Sequence, residues 1–499
     1  MSQFDELPEG WKLISIKDIA DYVQRGKQPK YIGYSELPVI NQKCIRWHTI
    51  QAEHLKFIHP EQWDKWQEER FLKIGDILWN STGTGTVGRA AIYERLEKFS
   101  RAVVDSHVTI IRLKESNPRY LHYWIMSPTV QSKIESMHNG STNQVELSRT
   151  EVVNTQVPLP PLNEQRRIVE KIEALTARSR QAREALEAIP ELLDQFRQSV
   201  LAAAFRGDLT ADWRAQNPDV ETAEALLERI RVERMQLSIS TRDRNRLKKD
   251  WEELEISNSN VVPDTWLKCS IGHIGNVCNG STPSRKESTY WDGSISWVSS
   301  GEVQNNIIAT TREKITDAGF QNSSGRILPV GTVLLAMIGE GKTRGQTAIL
   351  EIEATINQNI AAIILDHGLI ASRYIWHWFR YQYSETRRVG SGSGPQALNC
   401  QRVREMPFIL PPLAEQQVIV EQIDGLLALT GNIEGQHQNT KDDLDQLDRS
   451  ILAKAFRGEL VPQDPNDEPA AVLLDRIRAE REQLNSKSKS QKSKKRKQQ

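Results

Sequence analysis

The sequence has 499 residues, of which 38% are hydrophobic and 26% charged, and its formal net charge is zero. This length exceeds the roughly 100 to 200 residues of one domain, so several domains are predicted. No apolar run approaches the about 18 residues that span a membrane, and the first residues lack a signal-peptide pattern, so we expect a cytoplasmic protein. The cysteines form no CxxC pair, which favours free thiols over a metal or redox site; they are Cys44, Cys269, Cys278 and Cys400.

Residues 1–158 are predicted to form a mixed α/β domain. The domain opens with Pro8 and Trp11, and the segment KIGDILWN at 73–80 predicts a glycine turn that enters a strand. A Gly/Thr-rich loop, further strands and an aromatic helix from Tyr120 follow, and a small polar loop comes after His138.

The next region, 159–255, is predicted to hold a long helix, a charged helix and a linker. It opens with LPPLNEQ, and apolar residues then recur at steps of three, four and seven, which is typical of a helix packed against another long helix. The predicted helix covers 163–206 and would reach about 65 Å at 1.5 Å per residue. Pro190 predicts a kink within it.

Residues 256–409 repeat the plan of the first domain with different loops. Pro263 and Trp266 open this domain, PVGTVLLA at 329–336 predicts the glycine turn and strand, and an aromatic helix starts at Tyr374. We therefore predict a second mixed α/β domain with the same fold and a diverged surface.

The spacer pattern then returns at 410–484. LPPLAEQ opens it and AFRGEL ends its long helix, as AFRGDL ends the first. From the LPPL motif to the AFRG motif, the separation between the two copies is constant. The helix is predicted over 414–457. The two charged segments, ALLERIRVERMQL at 225–237 and VLLDRIRAEREQL at 472–484, are predicted amphipathic helices that either bind a partner or pack against the spacer.

The last residues, 485–499, are rich in lysine and contain no acidic residue. Because this tail has no apolar residue, we predict that it is disordered. It either keeps the protein soluble or contacts phosphates without sequence preference.

One segment, AMIGEGKT at 336–343, is similar to a phosphate-binding loop. The residues that follow it are typical of a strand, whereas such a loop needs a helix whose N-terminus points at the phosphate, so nucleotide binding is not predicted. Glycine, threonine and basic residues of this loop and of its counterpart at 80–92 suit contacts to a nucleic-acid backbone or base edges. An ordinary hairpin turn is the alternative interpretation. Catalytic motifs such as HExxH and GxSxG are missing from the sequence, which favours a binding protein over an enzyme.

The LPPLNEQ and LPPLAEQ junctions, the AFRGDL and AFRGEL helix ends and the segment NGSTPSRKESTYWDGSISWV at 279–298 resemble the specificity subunits of Type I restriction-modification enzymes. The resemblance covers nearly the whole chain. It implies an α+β protein in which two target recognition domains are separated by two long antiparallel coiled-coil helices, with head-to-tail duplication and pseudo-two-fold symmetry. In the first domain, QRGKQPKYIGY replaces the GSTPS opening of the second, so its contacts are harder to place.

The resemblance also implies the function. Each domain would recognise one half of a split double-stranded DNA target, and two modification subunits and the restriction subunits would bind the chain. S-adenosylmethionine, ATP and Mg²⁺ would be used by those partners, with no cofactor, metal or catalytic residue in this chain. The alternatives are a recognition subunit of a standalone methyltransferase or of another restriction system, and a coiled-coil protein adaptor.

The candidate DNA-binding residues lie in polar and basic loops. Those of the first domain are Arg25, Lys27, Lys30, Tyr31, Asn41, Gln42, Arg46, Thr82, Thr84, Arg89, Ser141, Asn143 and Gln144. Those of the second domain are Ser281, Thr282, Ser284, Arg285, Lys286, Ser299, Ser300, Lys342, Thr343, Arg344, Ser393 and Gln396.

Overall fold

The computed structural model describes residues 7–83, 85–138, 146–238, 240–257, 262–339, 341–365, 368–388, 391–392, 394–395 and 398–496. The chain divides into two compact units. Unit 1 comprises residues 1–187 and 438–499, and unit 2 comprises residues 188–437. Each unit therefore contains one predicted α/β domain and a part of each long spacer helix. The predicted domain boundaries themselves stay a prediction.

The secondary structure follows the duplicated plan of the sequence. The first α/β region contains β1 Lys12–Ser15, α1 Ile16–Ile19, β2 Ala20–Arg25, β3 Tyr31–Ile32, β4 Pro38–Ile40, β5 Lys56–Ile58, β6 Ile77–Asn80, β7 Ala90–Ile92, β8 Val103–Val104, β9 Val108–Leu113, α2 Pro118–Met126, α3 Pro128–His138, α4 Arg149–Asn154 and β10 Gln156–Leu159, with 3₁₀ turns at Ala52–His54, Pro60–Lys65 and Glu68–Arg70. The helical stretch after it contains α5 Leu162–Glu187, α6 Ile189–Arg206, α7 Ala211–Gln216, α8 Ala223–Leu237 and α9 Thr241–Glu253.

The second half repeats this order. Its α/β region contains β11 Leu267–Ser270, α10 Ile271–Ile274, β12 Asn276–Asn279, β13 Trp291–Val298, β14 Asn306–Ile308, β15 Glu313–Ile315, α11 Asp317–Gln321, β16 Val333–Ala336, β17 Thr347–Leu350, β18 Thr355–Ile356, β19 Ile360–Ile364, α12 Ser372–Tyr381, α13 Tyr383–Arg388, β20 Ser391–Gly392, β21 Gly394–Pro395, α14 Cys400–Glu405 and β22 Pro407–Leu410, with 3₁₀ turns at Ser288–Tyr290 and Ser300–Glu302. The helices α15 Leu413–Ala455 and α16 Ala470–Arg496 complete it.

The strands of unit 1 form an antiparallel sheet, a mixed sheet and a separate strand pair. One has the order β2-β9-β6-β7, a second has the order β3-β5-β4-β8, and β1 pairs with β10. The strands β4 and β8 are parallel, with Val39 opposite Val103 and Ile40 opposite Val104. Because β4 and β6 are almost wholly buried, their apolar residues supply the core between the layers.

Unit 2 has the same plan, with a main sheet of five strands instead of four. Its main sheet has the order β12-β19-β16-β17-β14, a second sheet has the order β15-β13-β18, and β11 pairs with β22. The strands β13 and β18 are parallel, with Trp297 opposite Thr355 and Val298 opposite Ile356. This parallel pair corresponds to β4 and β8 of unit 1, so the prediction of two α/β domains built alike agrees with the structure of each unit.

The predicted first spacer helix is not one helix. It ends at Glu187, and a new helix starts at Ile189 with Pro190 in its first turn. The prediction of one kinked helix over 163–206 was therefore wrong at this point, because proline lacks the N–H of an interior helical residue but is favoured in a first turn. The second copy has Lys441 in place of the proline, and α15 is continuous over 43 residues.

The AFRG motif closes both helices: α6 ends at Arg206, directly before Gly207, and α15 ends at Ala455, followed by a turn that reaches Gly458. Gly207 adopts φ +83° and Gly458 adopts φ +77°, a conformation that glycine reaches without strain. After α6, the amide of Asp208 donates to the carbonyl of Ala203 at 2.9 Å, and after α15 the amide of Glu459 donates to the carbonyl of Lys454 at 2.9 Å. These bonds satisfy carbonyl groups that a helix end leaves free, so the duplicated motif is a helix stop.

A part of the apolar stripe of each long helix is buried within each unit. In unit 1, Ile168 and Ile172 of α5 share one apolar cluster with Ile451 and Ala455 of α15. Arg183 forms ion pairs with Asp445 and Asp448 at 2.9 and 2.8 Å.

Unit 2 has corresponding contacts. Val200 and Ala204 of α6 share an apolar cluster with Ile419 and Ile423 of α15. An ion pair joins α6 to α15 farther along, from Arg197 to Glu434 at 2.7 Å. Some residues of the predicted stripes are thus buried in these clusters, whereas Phe196 and Leu447, which belong to the same stripes, are exposed.

The two charged segments pack inside their own units. Leu226 and Ile230 of α8 belong to the apolar cluster of unit 2, and Leu473 and Ile477 of α16 belong to that of unit 1. The tail differs from its prediction, because α16 continues to Arg496 through residues predicted to be disordered from 485. Those residues include no glycine or proline to stop the helix that starts at Ala470.

The cysteines are free thiols, as predicted. Within the described ranges, the histidine, cysteine and acidic side chains form no cluster that could hold a metal ion. In that same part of the chain, no helix has an apolar stretch that could cross a membrane.

Candidate nucleic-acid interface

A glycine follows the first strand of the main sheet in each unit and fits against a neighbouring backbone. A Cβ atom at Gly26 would overlap the carbonyl groups of Val104 and Asp105, and one at Gly280 would overlap the carbonyl of Ile356. The amide of Gly26 donates to the carbonyl of Val108 at 3.0 Å, and that of Ser281 donates to the carbonyl of Ile356 at 2.9 Å. Only glycine allows this close approach. The segments QRGKQP and CNGSTP are therefore structurally equivalent, although their sequences differ.

The segments beside these glycines, which follow β8 and β18, are also equivalent. The amide of His107 donates to Oδ1 of Asp105 at 2.9 Å, and the amide of Asn359 donates to Oδ1 of Asn357 at 3.0 Å. Each is a turn in which a side chain bonds the backbone two residues on.

The next strand holds both turns in the same way. The amide of Ser81 donates to the carbonyl of His107, and that of Met337 donates to the carbonyl of Asn359, each at 2.9 Å. The backbone of the two turns is therefore fixed by the same set of hydrogen bonds.

The first turn contains a buried acid, Asp105, and Tyr31 lies next to it. Asp105 is buried, and burial raises the pKa of its carboxyl above the usual value. Burial and the neighbouring Asp105 raise the pKa of Tyr31 to about 12. Tyr31, which was predicted to contact DNA, is half-buried beside Asp105, with the ammonium of Lys56 4.5 Å from its ring centre.

The side chains that project from these turns differ between the units. In unit 1, the hydroxyl of Ser106 donates to Oε1 of the exposed Gln28 at 3.3 Å, and Oγ1 of Thr82 lies 2.6 Å from Nδ1 of His107. In unit 2, the hydroxyl of Thr282 donates to Oε1 of the exposed Gln358. A common backbone thus carries unlike polar groups at the surface.

The glycine-rich loops predicted to contact nucleic acid adjoin these turns, and their last glycines, Gly88 and Gly345, have the same backbone conformation. In unit 1, the amide of Gly88 donates to the carbonyl of Asn80 at 2.9 Å, and in unit 2 the amide of Gly345 donates to that of Ala336 at 2.9 Å. Both glycines have left-handed backbones, with φ +87° and +86°. Each loop leads into a strand, β7 or β17, so the rejection of a phosphate-binding loop is confirmed.

Some of the predicted residues of unit 1 lie at the turn or the glycine-rich loop, and others bond to groups within the domain. Thr82 lies at the turn, and the carbonyl of Gln42 accepts from Asn80 at 3.1 Å beside the glycine-rich loop. Asn41 is buried, and its amide nitrogen donates to the carbonyl of His54 at 2.7 Å, so its side chain supports the fold and is not at the surface. Further side chains have protein partners: Arg25 pairs with Glu146, Lys30 with Glu61, and Arg46 donates to the carbonyl of Lys43.

The remaining candidates of this unit are exposed or half-buried. They are the exposed Lys27 near Gln28, and the half-buried Arg89 at the end of the glycine-rich loop.

Arg285 has the most defined position among the predicted residues of unit 2. Its guanidinium lies 3.8 Å from the ring centre of Trp291 and 5.1 Å from that of Trp297. It also forms a two-pronged ion pair with Glu313, which raises the pKa of Arg285 and lowers that of Glu313. Stacking and pairing fix the planar group in one orientation.

Some of the other candidates of unit 2 bond to groups within the domain, and the rest are exposed or half-buried. Ser299 donates to Glu302 at 3.0 Å, and Arg344 donates to the carbonyl of Arg387 at 3.0 Å, so both have partners within the domain. Lys342 is exposed on the loop, where its carbonyl accepts from Tyr383 at 2.7 Å. The exposed or half-buried remainder comprises Ser281, Ser284, Lys286, Ser300 and Thr343.

Some predicted residues lie outside the described part of the chain. They are Thr84, Ser141, Asn143 and Gln144 of the first domain and Ser393 and Gln396 of the second.

Sequence analysis missed the residues at the tips of the turns. These are Ser106 and His107 in unit 1 and Gln358 and Asn359 in unit 2. A signal was present in VVDSHVTI and ATINQNIA, where a short polar interruption separates two buried strands. Such an interruption predicts a turn, and polar side chains at a turn beside a glycine-rich loop are candidates for recognition.

A family model described as Type I restriction modification DNA specificity domain matches residues 8–190 and 263–440. The chain belongs to this family. The two matched ranges contain both α/β domains and the beginnings of both spacers, so the duplication seen in the sequence is a duplication of this domain.

Two specificity subunits align with nearly all of the chain. The Type I restriction enzyme StySPI specificity subunit of Salmonella potsdam is 26% identical over 494 residues, covering 95% of this chain and 96% of the relative. The EcoKI specificity subunit of Escherichia coli K12 is 26% identical over 498 residues, with 95% and 96% covered. The chain is therefore a specificity subunit, the non-catalytic component of a Type I system, as the sequence predicted.

Solved structures support the fold. The HsdS subunit from Thermoanaerobacter tengcongensis is similar with a TM-score of 0.57 at 17% identity, covering 92% of this chain and all of the other. A chain from a structure of type I restriction-modification complex assembly and conformational transition is similar with a TM-score of 0.63 at 18% identity, covering 91% and 99%.

Proposed function

We propose that this specificity subunit recognises a bipartite, asymmetric DNA sequence, with one half-site bound by the α/β domain of each unit. The observation that carries this proposal is the shared backbone of the turns at residues 105–107 and 357–359, which hold different side chains in the two units. Base pairs in the major groove are distinguished by their hydrogen-bonding groups. Two turns with the same backbone but different polar side chains therefore suit two different half-sites of one duplex.

The contacts within each unit support an antiparallel spacer. In unit 1, Ile172 clusters with Ile451, whereas Arg183, later on α5, bonds to Asp445 and Asp448. In unit 2, Arg197 bonds to Glu434, whereas Ala204, later on α6, clusters with Ile419. In both units, residues farther along α5 or α6 have partners that come earlier in α15, which favours antiparallel helices. Antiparallel helices would give a pseudo-two-fold arrangement that matches the dyad of duplex DNA.

The partners in this proposal are two DNA-methyltransferase subunits and the restriction subunits. S-adenosylmethionine-dependent adenine methylation and ATP- and Mg²⁺-dependent cleavage belong to those subunits, and the complex works on cytoplasmic DNA. What supports the assignment is the family of the chain together with the names of relatives that align over most of its length.

Sequencing the methylated bases of cells with and without the gene tests the proposal. We expect one split motif with methylated adenines that disappears when the gene is deleted. A methylome unchanged by the deletion in a strain that expresses the modification subunit would contradict the proposal and favour a protein adaptor. Cleavage of unmodified DNA by the purified complex only with ATP separates a Type I system from a standalone methyltransferase.

A further inference from the structure

Each unit presents an exposed glutamine whose amide oxygen accepts a hydrogen bond from a hydroxyl group near the closely packed glycine. In unit 2 the hydroxyl of Thr282 bonds Oε1 of Gln358, and in unit 1 the hydroxyl of Ser106 bonds Oε1 of Gln28. The glutamine of unit 1 lies on the glycine segment and the hydroxyl on the turn, whereas the arrangement in unit 2 is the reverse. The same chemical pair therefore occurs twice, in exchanged positions.

The backbone on both sides of each pair is fixed. Gly26 and Gly280 leave no room for a Cβ atom, and Asp105 and Asn357 bond the turn from within. A single hydrogen bond from a hydroxyl restricts a side chain only weakly. Because the backbone is fixed here, the bond from Ser106 or Thr282 orients a glutamine side chain that would otherwise rotate freely. Only Gln28 and Gln358 of these residues extend into solvent, since the supporting acid and amide are buried.

The free groups of such an amide have one preferred base. Oε1 has two lone pairs, so it can accept from the hydroxyl and from a second donor, while Nε2 keeps its two hydrogens. A glutamine amide that accepts and donates side by side matches N6 and N7 of adenine in the major groove. Guanine presents two acceptors there and would leave Oε1 facing an acceptor.

We propose that Gln28 and Gln358 are specificity-determining residues, each of which recognises an adenine in the half-site of its own domain, and that Ser106 and Thr282 are positioning residues. This inference rests on the proposed function and makes it more specific. It assigns the same base preference to one position of each half-site, although the two half-sites differ elsewhere.

The test uses the whole chain in complex with its modification subunits. After the motif is known, methylation is measured on duplexes that carry each of the four bases at every position of both half-sites. Gln358→Ala should reduce the preference for adenine by about 5- to 150-fold at one position of one half-site and leave the other half-site unchanged. Gln28→Ala should do the same in the other half-site.

Two further variants separate recognition from loss of structure. Gln358→Glu keeps the shape but only accepts hydrogen bonds, so the preference at that position should shift from adenine towards cytosine, whose amino group is a donor. Thr282→Val should weaken the preference less than Gln358→Ala does, and Thr282→Ser should restore it. Gln321→Ala and Gln67→Ala, at exposed glutamines elsewhere in the same domains, serve as matched controls and should leave the motif unchanged.

The result that overturns the inference is a Gln358 variant that methylates the original motif with unchanged preference at every position, or with a uniform loss over all sequences, as a phosphate contact would give. An exchange of residues 256–409 for those of a relative, measured in parallel, shows which proposal has failed. If the exchange changes one half-site while the glutamine variants change none, the glutamine assignment is wrong and the domain-per-half-site function stands. If the exchange changes neither half-site, the proposed function itself is wrong.

Discussion

The indole of Trp266 donates a hydrogen bond to Oε2 of Glu415 at 2.7 Å, and this bond joins the start of the second α/β domain to the first turn of α15. Trp11 and Glu164 form the same bond at 2.9 Å in unit 1. The surroundings of the two carboxylates differ. Glu415 also accepts from Thr210 at 2.6 Å and from Arg214, whereas Oε1 of Glu164 is buried without a hydrogen-bond partner among the described residues.

This difference predicts unequal effects of two matched substitutions. Glu415→Gln removes the charge that faces the half-buried Arg214, and we expect the thermal midpoint to fall by about 5 to 10 °C, which corresponds to roughly 2 to 3 kcal/mol. Burial raises the pKa of the Glu164 carboxyl, so this carboxylate is poorly solvated. Glu164→Gln keeps an acceptor for Trp11 and should change the midpoint by less than about 2 °C. Scanning calorimetry of both variants checks this, and equal losses would contradict the account.

Acid should destabilise the protein through buried histidines. Burial lowers the pKa of His122 in unit 1 and of His273 in unit 2 to about 4, from an ordinary value near 6.5. Below pH 6.5 the unfolded chain binds protons that the folded chain does not, so stability is present above that pH and is lost as the pH falls towards 4.

The pH effect of a single histidine is measurable. At pH 5 each of these groups should cost about 2 kcal/mol relative to pH 7.5. His122→Gln should therefore reduce the pH dependence of unfolding by about that amount, measured by urea titration at both pH values. His54→Gln, at a histidine whose side chain is 37% exposed, is the control and should leave the dependence unchanged. An equal slope in all three proteins would show that His122 is not the source.

The fold was predictable wherever local chemistry decides it. The AFRG motif was recognised as the end of both long helices, and Pro190 marked the position of an irregularity, although the sequence predicted a kink and the structure has a break at residue 188. The apolar periodicity of both spacers identified the face that holds the buried residues of these helices, because helix geometry determines which side chains share a face.

The candidate interface was predictable only in part, because its decisive contacts join segments that are distant in the sequence. Thr282 and Gln358 are 76 residues apart, and Ser106 and Gln28 are 78 apart. The sequence marks Thr282 as a polar residue after a glycine, but nothing local indicates that a strand and turn from elsewhere bring Gln358 beside it. Asn41 shows the opposite error, since a polar side chain at the end of a strand was predicted to bind DNA and instead bonds the backbone of its own domain.

The length of the spacer should set the distance between the half-sites. Inserting seven helix-forming residues after Glu187, with seven more after His437, should lengthen both helices by about 10 Å. At 3.4 Å per base pair, this distance corresponds to roughly three base pairs. We expect the methylated motif to keep both half-sites and gain about three base pairs between them. The same insertion after Pro218, between α7 and α8, is the control, and an unchanged spacing in the first variant would refute this role of the helices.

The exposed Lys342 should contact a phosphate. Lys342→Ala should weaken DNA binding of the complex by a similar factor on all sequences and reduce the slope of log affinity against log salt by about 1, because one fewer counterion is released. Titration of labelled duplexes at several salt concentrations measures this. Lys249→Ala, at an exposed lysine that pairs with Glu253 on α9, is the matched control. Loss of preference at one base position, with an unchanged slope, would show a base contact instead.

The central claim is that each α/β domain recognises one half of the DNA target. The most direct measurement is the methylome of cells in which residues 256–409 of this chain are replaced by the corresponding domain of a related specificity subunit. The account predicts that one half of the methylated sequence changes to that of the relative, while the other half and the spacing stay as they were. A motif in which both halves change, or neither does, would contradict it.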